Sequence, residues 1–160
     1  MLKVTGPSSS ALNSVLDNID KTVKRLNPEK KQLLIGVPAD AGEEDNGLPI
    51  ATNAAMHEFG IGVPERSFIR APLAANVDKY KKAMEWFAGR VGGGKLTNDQ
   101  ALAQLGHMAV GDIQTAIERG ISPANAISTI KKKGSSTPLI DTGRLRQSIT
   151  FRIVNEGETF

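Results

Sequence analysis

Apolar residues fall at helical spacing soon after the chain begins. Leu12, Val15, Leu16, Ile19, Val23 and Leu26 form one stripe behind Ser8-Ser9-Ser10, which supplies N-caps, and Asn27-Pro28 ends the pattern. The run Gln32-Leu33-Leu34-Ile35-Gly36-Val37 is short and unbroken between a lysine pair and Pro38, so its length predicts a strand. A second helix is predicted over Ile50 to Phe59, with Ala51, Ala54 and Ala55 for close packing and Gly60 as its C′ residue. From Leu73 another stripe runs through Val77, Tyr80, Lys81, Met84 and Phe87 to Val91 and predicts one helix. Trp86 lies off that stripe. A core position is the default for a lone tryptophan, and cover for a second contact surface is the alternative.

Gly92-Gly93-Gly94 breaks the chain. Thr97-Asn98-Asp99-Gln100 then reads as a capping box, and the helix it opens carries Leu102, Leu105, Met108, Ala109, Ile113 and Ile117 before stopping at Gly120. Ser122-Pro123 predicts a further helical start, serine at N-cap and proline at N1. Asp141-Thr142 caps a short helix containing Leu145. Ser148 to Val154 then alternates, with Ile149, Phe151 and Ile153 on one face, and predicts a strand. Two strand segments far apart with helices between them predict an α+β fold: a small, mostly antiparallel sheet packed with several amphipathic helices and long exposed loops. A single domain over 1–160 is expected. Residues 1–7 form a loose arm, 39–49 and 131–138 exposed loops, and 155–160 a frayed end. Of these loops, 39–49 is acidic and reads as mobile, while 131–138 is basic.

Composition narrows the chemistry. A chain of 160 residues is long enough to bury a core, and its hydrophobic fraction of 39% with 4% aromatics suits a small one. There is no cysteine, which removes disulfides, thiol catalysis and cysteine-ligated metals. No apolar stretch approaches the ~18 residues of a membrane span and no signal-peptide core opens the chain, so synthesis in the cytoplasm without membrane association is expected. The net charge of +3 is modest, and most basic residues are scattered as solvated faces would have them.

Candidate catalytic motifs are incomplete. His57-Glu58 opens like a zinc-protease helix, but the second histidine would have to stand where Ile61 is, and His107 is far along the chain. Gly89-Arg90-Val91-Gly92-Gly93-Gly94-Lys95 resembles a phosphate-binding loop, yet Leu96 replaces its hydroxyl residue and a helix precedes it instead of a strand. The carboxylates of Glu43-Glu44-Asp45 sit in a loop, and general acid–base work needs rigid placement. No catalytic residue, cofactor or metal is expected, and an enzyme is the least favoured class.

Two stretches carry more information. Met56 to Pro72 joins two helical patterns and includes Arg66 and Arg70 around Phe68 and Ile69. Lys133 to Ile149 places Arg144 and Arg146 around Leu145. Apolar anchors alternating with arginines suit an interface, because arginine forms bidentate pairs and tolerates partial burial. Internal packing is the alternative, and the two combine if the apolar residues point inward and the arginines outward. Candidate interface residues are therefore Arg66, Phe68, Arg70, Lys131, Lys132, Lys133, Arg144 and Arg146.

The order His-Glu-Phe-Gly, Val-Pro-Glu-Arg-Ser-Phe-Ile-Arg, a helical middle, then Gly-Ser-x-x-Pro-Leu-Ile-Asp-Thr-Gly-x-Leu-x-x-Ser-Ile resembles tailed-bacteriophage neck and tail-completion proteins, the HK97 gp10-like tail components. The likeness spans roughly Leu33 to Val154. It implies a virion structural protein of α+β fold, made in the host cytoplasm and assembled as a ring, commonly a hexamer, between the tail terminator or tail tube and the head–tail connector or adaptor. It implies no catalytic residues. The loops 39–49 and 131–138, one acidic and one basic, are expected to meet between copies or to reach other rings. A ring on the DNA exit path would make only weak, salt-sensitive DNA contact. The alternatives are a tail terminator or head-side adaptor ring, or a small basic DNA-binding protein.

Overall fold

A computed structural model of the chain describes residues 29–125 and 143–159, with Asp17, Lys21, Leu26, Pro138 and Leu139 besides. The first apolar run is β1, Gln32–Gly36, and it pairs antiparallel with β2, Thr150–Val154. Leu33 stands opposite Ile153, and Ile35 opposite Phe151. Alternation therefore puts these four apolar side chains on one face of the sheet. Between the strands come α1 (Ile50–Phe59), α2 (Arg70–Ala75), α3 (Val77–Gly92), α4 (Asn98–Arg119) and α5 (Arg144–Ser148). Five helices and a two-stranded antiparallel sheet among the described residues make the fold α+β, as the pattern predicts.

The spine is α4, which touches both strands, α2 and α3. Its start is the capping box read from the sequence. The Gln100 N–H donates to Thr97 Oγ1 at 3.1 Å, and the Thr97 N–H donates to Gln100 Oε1 at 2.9 Å. Its buried stripe is Ala101, Gly106, Ala109, Ile113 and Ile117. Small residues on that stripe let the sheet come close: a Cβ on Gly106 would lie 2.5 Å from the Phe151 ring. Ile113 and Ile117 join Ile50, Ala54, Phe68, Leu139, Leu145 and Ile149 in the main core. A smaller cluster of Phe87, Val91 and Ala101 lies between α3 and α4.

Several expectations are corrected. The pattern from Leu73 to Val91 forms two helices, because Asn76 turns its side-chain amide back to the Pro72 carbonyl at 2.9 Å and closes α2 there. Only part of the expected α3 stripe is buried. Phe87 and Val91 are inside and Tyr80 is half-buried, whereas Val77 and Met84 are exposed. Trp86 is not a core residue either: it is 53% exposed, with the Arg90 guanidinium 4.3 Å over its ring. Of the helices α3 packs mainly on α4, and contact with a single helix buries only a narrow stripe. Asp112 on α4 strengthens that contact by accepting from Lys79 Nζ at 2.7 Å and the Tyr80 hydroxyl at 2.8 Å.

Residues 122–125 form no helical turn, contrary to the reading of Ser122-Pro123, and 126–130 lie outside the described residues. The loop 39–49 is largely exposed, as expected, and carries its own hydrogen bonds. Glu44 and Leu48 are joined by a backbone hydrogen bond, Gly47 donates to Glu44, and Glu43 bridges Pro49. The expected fray at 155–160 begins with a closed turn, Glu158 N–H to Asn155 O at 3.1 Å. The arm 1–7, the loop 131–137 and the cap Asp141-Thr142 lie outside the described residues. So does most of the first predicted helix, of which Asp17, Lys21 and Leu26 are helical.

Gly106→Ala should destabilise the fold by about 1–3 kcal/mol in urea titrations, since the new methyl must displace a packed ring. Gly111→Ala on the same helix meets nothing within 4 Å and should be neutral or gain up to about 1 kcal/mol.

Candidate functional site

Ile50, Ala54 and Glu58 fall four residues apart on α1 and are all buried. The first two are core residues, and the third carries a carboxylate into the same layer at 4% exposure. A charge in that place needs several hydrogen bonds to be tolerated. Glu58 has them. Oε1 accepts from Ser67 Oγ at 2.9 Å, the Arg70 N–H at 3.0 Å and Arg70 Nε at 2.8 Å, and Oε2 accepts from the Ile69 N–H at 2.9 Å. Two of these donors are backbone N–H groups at the start of α2, so a side chain from another helix acts as the cap that Ile69 cannot supply. Arg70 also donates to the Glu58 carbonyl at 2.7 Å and to Glu65 Oε1 at 3.0 Å. Burial raises the pKa of Glu58. The Ile69 N–H, the Arg70 guanidinium, the Arg70 N–H and the Ser67 hydroxyl together outweigh it and leave the pKa below the ordinary carboxylate value.

The connector between α1 and α2 is thereby fixed. Gly60 takes φ 70° and ends α1, and the Arg66 N–H returns to the His57 carbonyl at 2.7 Å. Arg66 does not point outward as expected. It is 5% exposed, and Nε donates to the Pro123 carbonyl at 2.9 Å, with the Ala124 carbonyl and Asn125 Oδ1 both 3.4 Å from Nη2. Those carbonyls are turned to the guanidinium, which accounts for the missing helical turn after Ser122. Burial lowers the pKa of Arg66. Phe68 is fully buried.

The second stretch reaches the same core. Leu139, Leu145 and Ile149 pack with Phe68, Ile50 and Ile113, and α5 touches α1. Arg144 donates to the Glu43 carbonyl at 3.1 Å and pairs with Asp45 at 2.7 Å, and Arg152 pairs with Asp40 at 3.0 Å. The acidic loop is thus already engaged by cations of its own chain. Arg146 pairs with Glu118, and its carbonyl accepts from Gln114 Nε2 at 3.2 Å. Phe68 and Arg66 are thus internal, whereas Arg70, Arg144 and Arg146, their side chains 55%, 46% and 34% exposed, pair within the chain. Lys131, Lys132 and Lys133 lie outside the described residues.

The other candidate chemistry is dispersed. His57 Nδ1 is 3.5 Å from Arg66 Nη1, and His107 sits edge-on to the Phe151 ring at 4.8 Å. Among the described residues no three His, Cys, Asp or Glu side chains group as metal ligands. Gly89 to Gly92 belong to α3, so the phosphate-loop resemblance has no strand-to-helix turn beneath it. The feature sequence reasoning missed is Glu58 itself, read only as half of a metal motif. Its signal was present: an acid on the apolar line of Ile50 and Ala54.

Compared with protein-family models, with curated proteins and with solved structures, the chain finds no match in any of the three.

Glu58→Ala should cost about 1–3 kcal/mol in denaturant titrations, because it leaves the Ile69 and Arg70 N–H groups without their acceptor. Glu58→Gln should also destabilise, since its amide would face one of those donors. The unfolded carboxyl takes up a proton near pH ~4.3, while native Glu58 holds its charge to lower pH. Its contribution is therefore full above about pH 4.3 and is lost as pH falls through the native pKa. Stability measured against pH should fall less steeply below pH ~4 in Glu58→Gln than in the parent.

Proposed function

We propose that the chain is a structural protein of a tailed-bacteriophage virion, a tail-completion or neck component that joins the tail to the head connector as one subunit of an oligomeric ring. The observation that carries this reading is where the two family-like segments go. Both converge on one core through Phe68, Leu139, Leu145 and Ile149. Their charged residues are committed to holding backbone: Glu58 to α2, Arg66 to residues 123–124, Arg144 to the acidic loop. Side chains used in this way favour a scaffold that presents surfaces over a site that turns over a substrate. Its partners in this reading are copies of itself, the tail terminator or tube on one side and the connector or adaptor on the other. DNA contact is weak and salt-dependent. The protein acts without cofactor and without catalysis.

Quantitative mass spectrometry of purified virions tests the reading. The protein should be present at a low, fixed ratio to the major capsid protein, on the order of one closed ring per particle. Absence from intact particles would overturn it.

A further inference from the structure

Asn46 is the one asparagine of the chain that precedes a glycine. The pair sits in the turn of the 39–49 loop, and both residues are exposed. Gly47 takes φ 77°, and a Cβ built on it would meet nothing within 4 Å. Its main-chain nitrogen therefore follows the Asn46 carboxamide with no side chain to block approach and with the backbone freedom to rotate toward it. Asn46 Oδ1 accepts from the Leu48 N–H at 3.1 Å. That hydrogen bond folds the carboxamide over the main chain that follows, and it draws electron density from Cγ.

We propose that Asn46-Gly47 is a site of spontaneous deamidation through a cyclic imide, restrained by the hydrogen bonds of its own turn. Gly47 N attacks Asn46 Cγ. The new C–N bond replaces the bond from Cγ to Nδ2, and the proton lost from Gly47 N leaves with ammonia. Water then opens the imide at either carbonyl. One opening gives aspartate in the ordinary main chain. The other gives isoaspartate, in which the main chain runs through the side-chain carbons. The balance is amide plus water to acid plus ammonia, and water is the co-reactant.

The restraint lies in the turn. The Gly47 N–H donates to the Glu44 carbonyl at 2.9 Å, and the Glu44 N–H donates to the Leu48 carbonyl at 2.9 Å. The first of these bonds must open before the nitrogen can react. Arg144 steadies the same segment through the Glu43 carbonyl and Asp45. The reaction therefore waits on local opening of an exposed loop, which needs far less than unfolding of the whole chain. Its products add a carboxylate beside Glu43, Glu44 and Asp45. Isoaspartate also lengthens the main chain by one carbon and so alters the spacing that lets Gly47 meet Glu44.

The full chain, aged at mildly alkaline pH, digested and fragmented in a mass spectrometer, should show position 46 one mass unit heavier, as two separable isomers. The other eight asparagines should lag behind it. Gly47→Ala should remove that lead, because its methyl group hinders the attacking nitrogen. The same ageing in urea should convert Asn46 faster than in native buffer, since the turn bonds are then gone. Conversion of Asn46 no faster than that of the other asparagines, or conversion to the aspartate isomer alone, would overturn the imide route. Equal rates in native buffer and in urea would overturn the restraint by the turn.

Discussion

The carboxylate of Glu58 is the constraint on which the rest of the structure depends. It is buried, charged and surrounded by four donors, two of them backbone N–H groups of residues 69 and 70. Because those donors open α2, the direction of α2 is set by a side chain on α1. Phe68 lies immediately before them and is thereby driven into the core beside Ile113 and Ile117. Removing a charge with several partners costs more than any one of its hydrogen bonds contributes, because several donors lose their acceptor at once. The connector therefore behaves as a unit.

Around that centre, arginine does a particular job. Arg66, Arg70 and Arg144 each reach at least one backbone carbonyl as well as other groups. A planar guanidinium holds five donors in a fixed fork, against three on a lysine ammonium, and so can satisfy several acceptors in a set geometry. Irregular backbone at 43–45 and 123–124 is in this way tied down without regular secondary structure. The two long connecting regions that border the core thus have ordered bases.

What was legible in the sequence was local. The capping box at Thr97 and Gln100, the glycine ends of α1 and α4, and both strands rest on interactions within a few residues or on a simple alternation. Besides His57, the partners of the Arg66 side chain are 57 to 59 residues away, and nothing in its neighbourhood announces them. Trp86 was misplaced for a related reason: its hydrophobicity was plain, but how much of α3 another element would cover was not. Glu58 stood on a legible apolar line, and its charge drew attention to metal chemistry instead of to capping. The two singled-out stretches do pack together through their apolar residues; of their arginines Arg66 is buried, and Arg70, Arg144 and Arg146 pair within the chain nearer the surface.

The pairing of β1 with β2 has a consequence in time. The strands border nearly the whole helical region, and α4 rests against both. While the chain is being synthesised, Leu33 and Ile35 emerge early and have no partners until Phe151 and Ile153 follow. Long-range pairing of this kind forms slowly and late. Until Val154 has left the ribosome, the face of α4 around Gly106 lacks the ring that fills it. A nascent chain therefore closes this core only when its second strand has become available.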